Sequence, residues 1–276
     1  MTSAAFHPTS RHARSSPAAP LQALTRRALD GDRTLVAYAA VLLVLAAAFA
    51  VGWLVDERVL RGANVWIKPF KFAMAIALLA FTTALFASVV ERSEQTRRPL
   101  RWIRRILIAA GSFELGYIAL QASLGQASHF NVGDAFHGTM YTLMGIGAIA
   151  LTATQPALAW QVHRHAASTT APALRSAIVL GLVLTFMLGA SAGIVLSALP
   201  AVSNAGGWPI VGWSLQGGDL RPAHFLGIHA AQLLPLVGFV AVARRFARPG
   251  WVVWAATLLY VGLFLALVAW ALVGRS

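Results

Sequence analysis

Cysteine is absent from this 276-residue chain. That excludes a disulfide framework, a thiolate nucleophile, cysteine-ligated iron–sulfur or zinc sites and covalent c-type haem. Charge is scarce too: 11% of residues are charged, only nine of them acidic, against about 25% charged in a soluble domain. Nine carboxylates cannot cover an ordinary water-facing surface. The scarcity counts against a soluble enzyme, a disordered chain and a nucleic-acid-binding domain. Lysine occurs only at 68 and 71, so the last apolar run offers no Schiff-base lysine for retinal.

What is present is apolar, with 58% hydrophobic residues and a mean hydropathy of +0.68. A bilayer crossing takes about 20 predominantly apolar residues. Seven runs qualify: 34–55, 66–90, 106–124, 137–160, 176–199, 222–243 and 251–273. Each reads as a helix, because only a helix satisfies its own backbone in hydrocarbon. The expected fold is therefore all-α, a bundle of seven transmembrane helices over 34–276. Residues 1–33, rich in Ser, Ala, Pro and Arg, read as a disordered basic tail.

The net charge of +13 is unevenly placed. Sixteen of 22 basic residues fall in the tail and in the loops after spans 2, 4 and 6. By the positive-inside rule the N-terminus is cytoplasmic and the C-terminus external. All nine Trp lie near span ends or in loops, as in the aromatic belts of membrane proteins. The expected setting is a bacterial inner membrane, multi-pass, with the lipid bilayer as partner and no nucleic acid.

Ionisable groups inside spans are costly and therefore mark function. Lys68 and Lys71 open span 2, on one helix face with Asn64. Glu114, the only acidic residue in mid-span, shares a face of span 3 with Tyr117 and Gln121. His129 and Asp134 lie in the following external loop, and His137 in the first turn of span 4. Asp219 and Arg221 precede span 6, whose first turn holds His224. His229 follows about 7 Å deeper. The cytoplasmic half offers no comparable ionisable set. Asp134 and Asp219 also fit helix N-caps, Pro235 fits a kink in span 6, and Gly189 and Gly193 fit a packing face.

Histidine ligates haem iron, copper or zinc and moves protons near neutral pH. His224 and His229 stand about 140° apart on a regular helix, so a ligand set must join helices, for example His137 with His229. The first expectation is redox chemistry on haem b or a His-ligated metal ion. Here His129, His137, His224 and His229 are the candidate ligands. Glu114, Asp134 and Asp219 are the proton-handling or catalytic groups, and Lys68, Lys71, Gln121 and Arg221 hold the cofactor, a quinone or a small-molecule substrate. The second is a proton-coupled transporter of a small molecule using Glu114, Gln121, His229 and Lys71. The third is a seven-span zinc hydrolase, although its usual His pair is spaced differently from His224 and His229.

Three segments carry a resemblance: Trp66-Ile67-Lys68-Pro69-Phe70-Lys71-Phe72, Ser128-His129-Phe130-Asn131, and Arg221-Pro222-Ala223-His224-Phe225-Leu226-Gly227-Ile228-His229. They resemble stretches of bacterial multi-span membrane proteins of unassigned function. The resemblance implies an architecture and no catalytic residue.

Overall fold

The structure is a computed structural model that describes residues 18–199, 207, 212–214 and 218–274. Trp208, Gly217, Arg275 and the tail before residue 18 lie outside the described residues. Among the described residues the regular elements are helices and one small hairpin. In order come α1 (Ala18–Val55), β1 (Val59–Leu60), β2 (Ala63–Asn64), α2 (Ile67–Ala87), α3 (Glu94–Ser123) and α4 (Ala135–His165). Then follow α5 (Pro172–Ala198), α6 (Arg221–Ile228), α7 (Ala230–Ala243) and α8 (Pro249–Val273). Six helices are long and apolar enough to cross a membrane, and the bent pair α6–α7 makes a seventh span when counted as one.

Successive connections alternate between two ends. At the arginine-rich end, Arg92 donates to the carbonyls of Asp30 and Gly31. There too Arg104 pairs with Asp32 at 3.2 Å, and the amide of Ala167 reaches the Val89 carbonyl at 2.8 Å. At the opposite end, Arg58 donates to the Ser123 carbonyl at 2.9 Å and Tyr141 to that of Ser197 at 3.1 Å.

Local chemistry sets the starts. Asp134 caps α4, its carboxylate accepting the His137 amide at 3.0 Å, which satisfies a donor that the first turn leaves over. Pro172, Pro222 and Pro249 each sit in a first turn, where a missing N–H costs nothing. The β1–β2 hairpin turns through Arg61 and Gly62 with φ of +53° and +79°, the positive-φ pair that a tight two-residue connection requires.

The tail expected to be disordered through residue 33 is instead helical from Ala18. Asp32 explains the boundary. Its backbone leaves the helix at φ −156°, and its carboxylate accepts the amides of Thr34 and Leu35 at 2.9 and 3.1 Å. Asp32 thus ends a leading helix over 18–31 and caps the first span. Ala28 of the leading helix is buried in the α1–α2 core.

Helix α5 is the pillar of the second half, touching α4, α6, α7 and α8. Glycine makes the closest approach possible. A Cβ on Gly227 would stand 2.8 Å from the Gly189 nitrogen, and one on Gly189 would stand 2.7 Å from Ile228 Cγ2. The packing face expected at Gly189 is therefore the α5–α6 seam, while Gly193 faces the His224 ring. The kink expected at Pro235 lies elsewhere, at His229, where α6 and α7 meet at 50°. There Thr185 of α5 accepts the Ala231 amide at 2.8 Å. A hydroxyl from a neighbouring helix thus replaces a bond of the ladder.

Candidate functional site

The first cluster forms where α2, α3, α4 and the 124–134 loop meet. Lys68, in the first turn of α2, donates to Ser128 Oγ at 2.7 Å and lies 3.0 Å from His129 Nδ1. The His129 ring sits between Phe72 and Tyr141. Burial, reinforced by the Lys68 ammonium, holds His129 down at about 3. The ring is therefore neutral, accepts from Lys68 through Nδ1, and carries its proton on Nε2. Arg61, at the hairpin tip, donates to the carbonyls of His129 and Phe130, both at 3.3 Å. Phe130 adopts φ +55°, a left-handed backbone costly for a bulky residue. Arg61 and the Tyr141 ring, 5.5 Å from that of Phe130, hold it there.

Below this cap runs the polar face of α3. Glu114 and Gln121 are each 2% exposed and Tyr117 5%. One oxygen of each, Glu114 Oε1, Tyr117 Oη and Gln121 Oε1, has no hydrogen-bond partner. Lys68 is the cation acting on Glu114. Across the seam, Gly147 of α4 keeps room for the carboxylate: a Cβ there would meet Glu114 Oε1 at 2.7 Å. Unpaired buried oxygens are expensive and mark places where water, a proton or a ligand completes the bonding.

The second cluster surrounds α6. Asp219, fully buried, pairs with Arg221 at 2.7 Å and accepts the Ser214 and Arg221 amides at 3.0 and 2.9 Å. Burial raises its carboxyl, but the Arg221 bonds outweigh that and hold it below the usual range. Asp219 thus anchors the start of α6 through Arg221, while the N-cap expected of it falls on Leu220, which makes no side-chain cap bond. Lys71 and Arg221 act on each other as like charges. His224 Nδ1 reaches the Gly189 carbonyl at 3.0 Å, while His229 Nδ1 reaches Gln232 Oε1 at 3.3 Å.

The four candidate histidine ligands do not share a centre. His129 spends its acceptor nitrogen on Lys68. His137 has both ring nitrogens against oxygens, Asp134 Oδ2 at 2.5 Å and Gln126 Oε1 at 3.1 Å. His224 faces α5, and His229 turns towards Gln232 and the Phe225 ring. Among the described residues no three of His, Asp and Glu gather as a metal site. The four rings turn to different partners, His224 and His229 through Nδ1 alone, so the expected histidine set forms no shared centre among the described residues.

The arginine-rich half holds a polar set that ionisable groups do not reveal. Gln155 of α4 donates to Thr154 Oγ1 at 2.9 Å and Thr83 Oγ1 at 3.4 Å. Gln232 of α7 donates to Thr82 Oγ1 at 3.2 Å. Adjacent threonines of α2 therefore join the α4 side of the bundle to the α7 side. Glutamine in an apolar run was the one available signal. It is weak, because a neutral amide costs far less than a charge in such a run.

No protein-family model, no curated protein and no solved structure matches the chain.

Proposed function

We propose that the chain is a proton-coupled carrier of a small anionic solute, with Glu114 as its proton-bearing group. The observation that carries this reading is the Glu114 carboxylate: deep in a span, 2% exposed, with Oε1 unpaired and Lys68 as its acting cation. A carboxylate in apolar surroundings takes up and releases a proton according to the charge beside it. When an anion occupies the Lys68 ammonium, Glu114 gains most by holding a proton. When the anion leaves, the carboxylate regains Lys68 and gives the proton up. Proton and anion then move together, without net charge.

Two further features favour transport over redox chemistry. Beside the buried acid, Lys68 supplies a cation for an anion, and Arg61 adds a second positive charge near Lys68, while Arg221 is neutralised by Asp219. Beyond Glu114, the Thr82, Thr83, Gln155 and Gln232 set extends polar side chains towards the arginine-rich end. A path across the bundle needs such groups and an electron-transfer site does not.

The test is proton entry into proteoliposomes carrying a trapped pH-sensitive dye, with a panel of small carboxylates, phosphate and sugars outside. At least one anion stimulates proton entry, and Glu114→Gln abolishes the stimulation. His163→Ala, at the exposed arginine-rich surface, leaves it intact. Equal anion-driven proton entry in the wild type and Glu114→Gln would sink the proposal.

A further inference from the structure

Between α3 and α4, near the arginine-rich end, lies an apolar groove of about 450 Å³. Pro99, Trp102 and Ile106 form one wall, and Ala153, Ala157 and Trp160 the other. Alanines make it deep. Its length from Ala150 to Gln161 is about 16 Å at the rise of a helix, which suits the upper part of an acyl chain.

Its mouth is polar in a specific way. Trp102 and Trp160 are both about half exposed, and each carries an arginine on its face. Arg105 Cζ lies 5.5 Å from the Trp102 ring and Arg164 Cζ 5.5 Å from the Trp160 ring. Neither arginine has a carboxylate partner among the described residues, whereas Arg97 and Arg104 are paired with Glu94 and Asp32. Gln161 lines the same groove. It is only 7% exposed, and its Oε1 acceptor has no donor. A slot for a chain, two unpaired guanidinium groups at interfacial tryptophans and one acceptor lacking a hydroxyl partner together describe an amphiphile.

We infer that this groove is a binding site for an anionic glycerophospholipid with a hydroxyl-bearing headgroup, phosphatidylglycerol in type. The phosphate lies between Arg105 and Arg164, bidentate bonding to a guanidinium being the favoured geometry for phosphate. A headgroup hydroxyl donates to Gln161 Oε1, and one acyl chain fills the alanine-lined slot. Charge complementarity selects this occupant over a second copy of the chain, which would bring two more unpaired arginines to the same mouth.

The full-length protein in detergent is titrated with phosphatidylglycerol brominated on its acyl chains, and separately with brominated phosphatidylcholine. Tryptophan fluorescence is the readout, because bromine quenches only on contact. Trp102→Phe with Trp160→Phe identifies the share of quenching that arises at the groove. That share saturates at about tenfold lower mole fraction of phosphatidylglycerol than of phosphatidylcholine. Arg105→Gln with Arg164→Gln removes the preference. Ala157→Phe, an exposed position, fills the slot and removes the share itself while both arginines remain. Equal quenching by the two lipids, or a preference that survives loss of both arginines, overturns the site. So does a dimer by light scattering that leaves the two tryptophans unquenched.

Discussion

The seam between α3 and α4 and the seam between α5 and α6 solve the same problem in opposite ways. Across α5–α6 the backbones touch: Gly189 and Gly227 leave no space for a single carbon, His224 reaches the Gly189 carbonyl, and the buried donor at the start of α7 is taken by Thr185. Across α3–α4 a glycine makes room instead. Gly147 stands clear of Glu114 Oε1, and the oxygens of Glu114, Tyr117 and Gln121 stay unpaired. In an apolar solvent, close packing and interhelical hydrogen bonds hold helices together. The α5–α6 seam uses both fully. The α3–α4 seam gives up part of each, and such a surrender marks a working surface.

That difference can be broken by substitution. The largest effect is expected for Gly227→Leu, which drives a side chain into the α5 backbone. It costs about 3 kcal/mol and is read as a lowered thermal midpoint with loss of monodispersity in detergent. Next is Thr185→Val, which keeps the shape and removes the acceptor for the Ala231 amide. It costs about 2 kcal/mol. The contrasting change on the other seam, Tyr117→Phe, deletes an oxygen that has no partner and leaves the midpoint unchanged or higher. Equal losses from Thr185→Val and Tyr117→Phe would erase the distinction between the seams.

A pH slope tests the loop above the α3–α4 seam. His129 is held near 3 in the fold, below an ordinary imidazole at about 6.5. Between those values the unfolded chain binds the extra proton, so stability rises with pH across that window. Stability is full above about 6.5 and falls on acidification towards 3, by at most about 1.4 kcal/mol per pH unit. His129→Asn flattens the slope in thermal melts taken across that range, while His163→Ala leaves it unchanged.

The spans were legible because hydrocarbon imposes a length, and seven apolar runs met it. Asp134 was legible as a cap because its partner is three residues away. The break in span 6 was misplaced from His229 to Pro235 because its cause, Thr185, lies 46 positions earlier in the chain and looks like any other threonine. The leading helix was missed because its end depends on Asp32, which reads as an interruption until its carboxylate is seen holding Thr34 and Leu35. Glu114, Tyr117 and Gln121 group on one face from helical spacing, as Lys68 and Lys71 do on another helix. The histidines could not, since spacing gives an angle around one helix and says nothing of which neighbour a ring meets. The Thr82–Thr83 link is not legible from spacing, because its partners Gln155 and Gln232 stand on other helices and none of the four carries a charge.

Arg61 grips the 124–134 loop through the carbonyls of His129 and Phe130, with no carboxylate in the grip. A carbonyl has no proton to gain in any physiological range, and a guanidinium none to lose. The Arg61 contact is therefore a fastening blind to acidity. Whatever this end of the bundle senses of pH is sensed beneath the strap, by groups that feel the Arg61 charge without exchanging a proton with it.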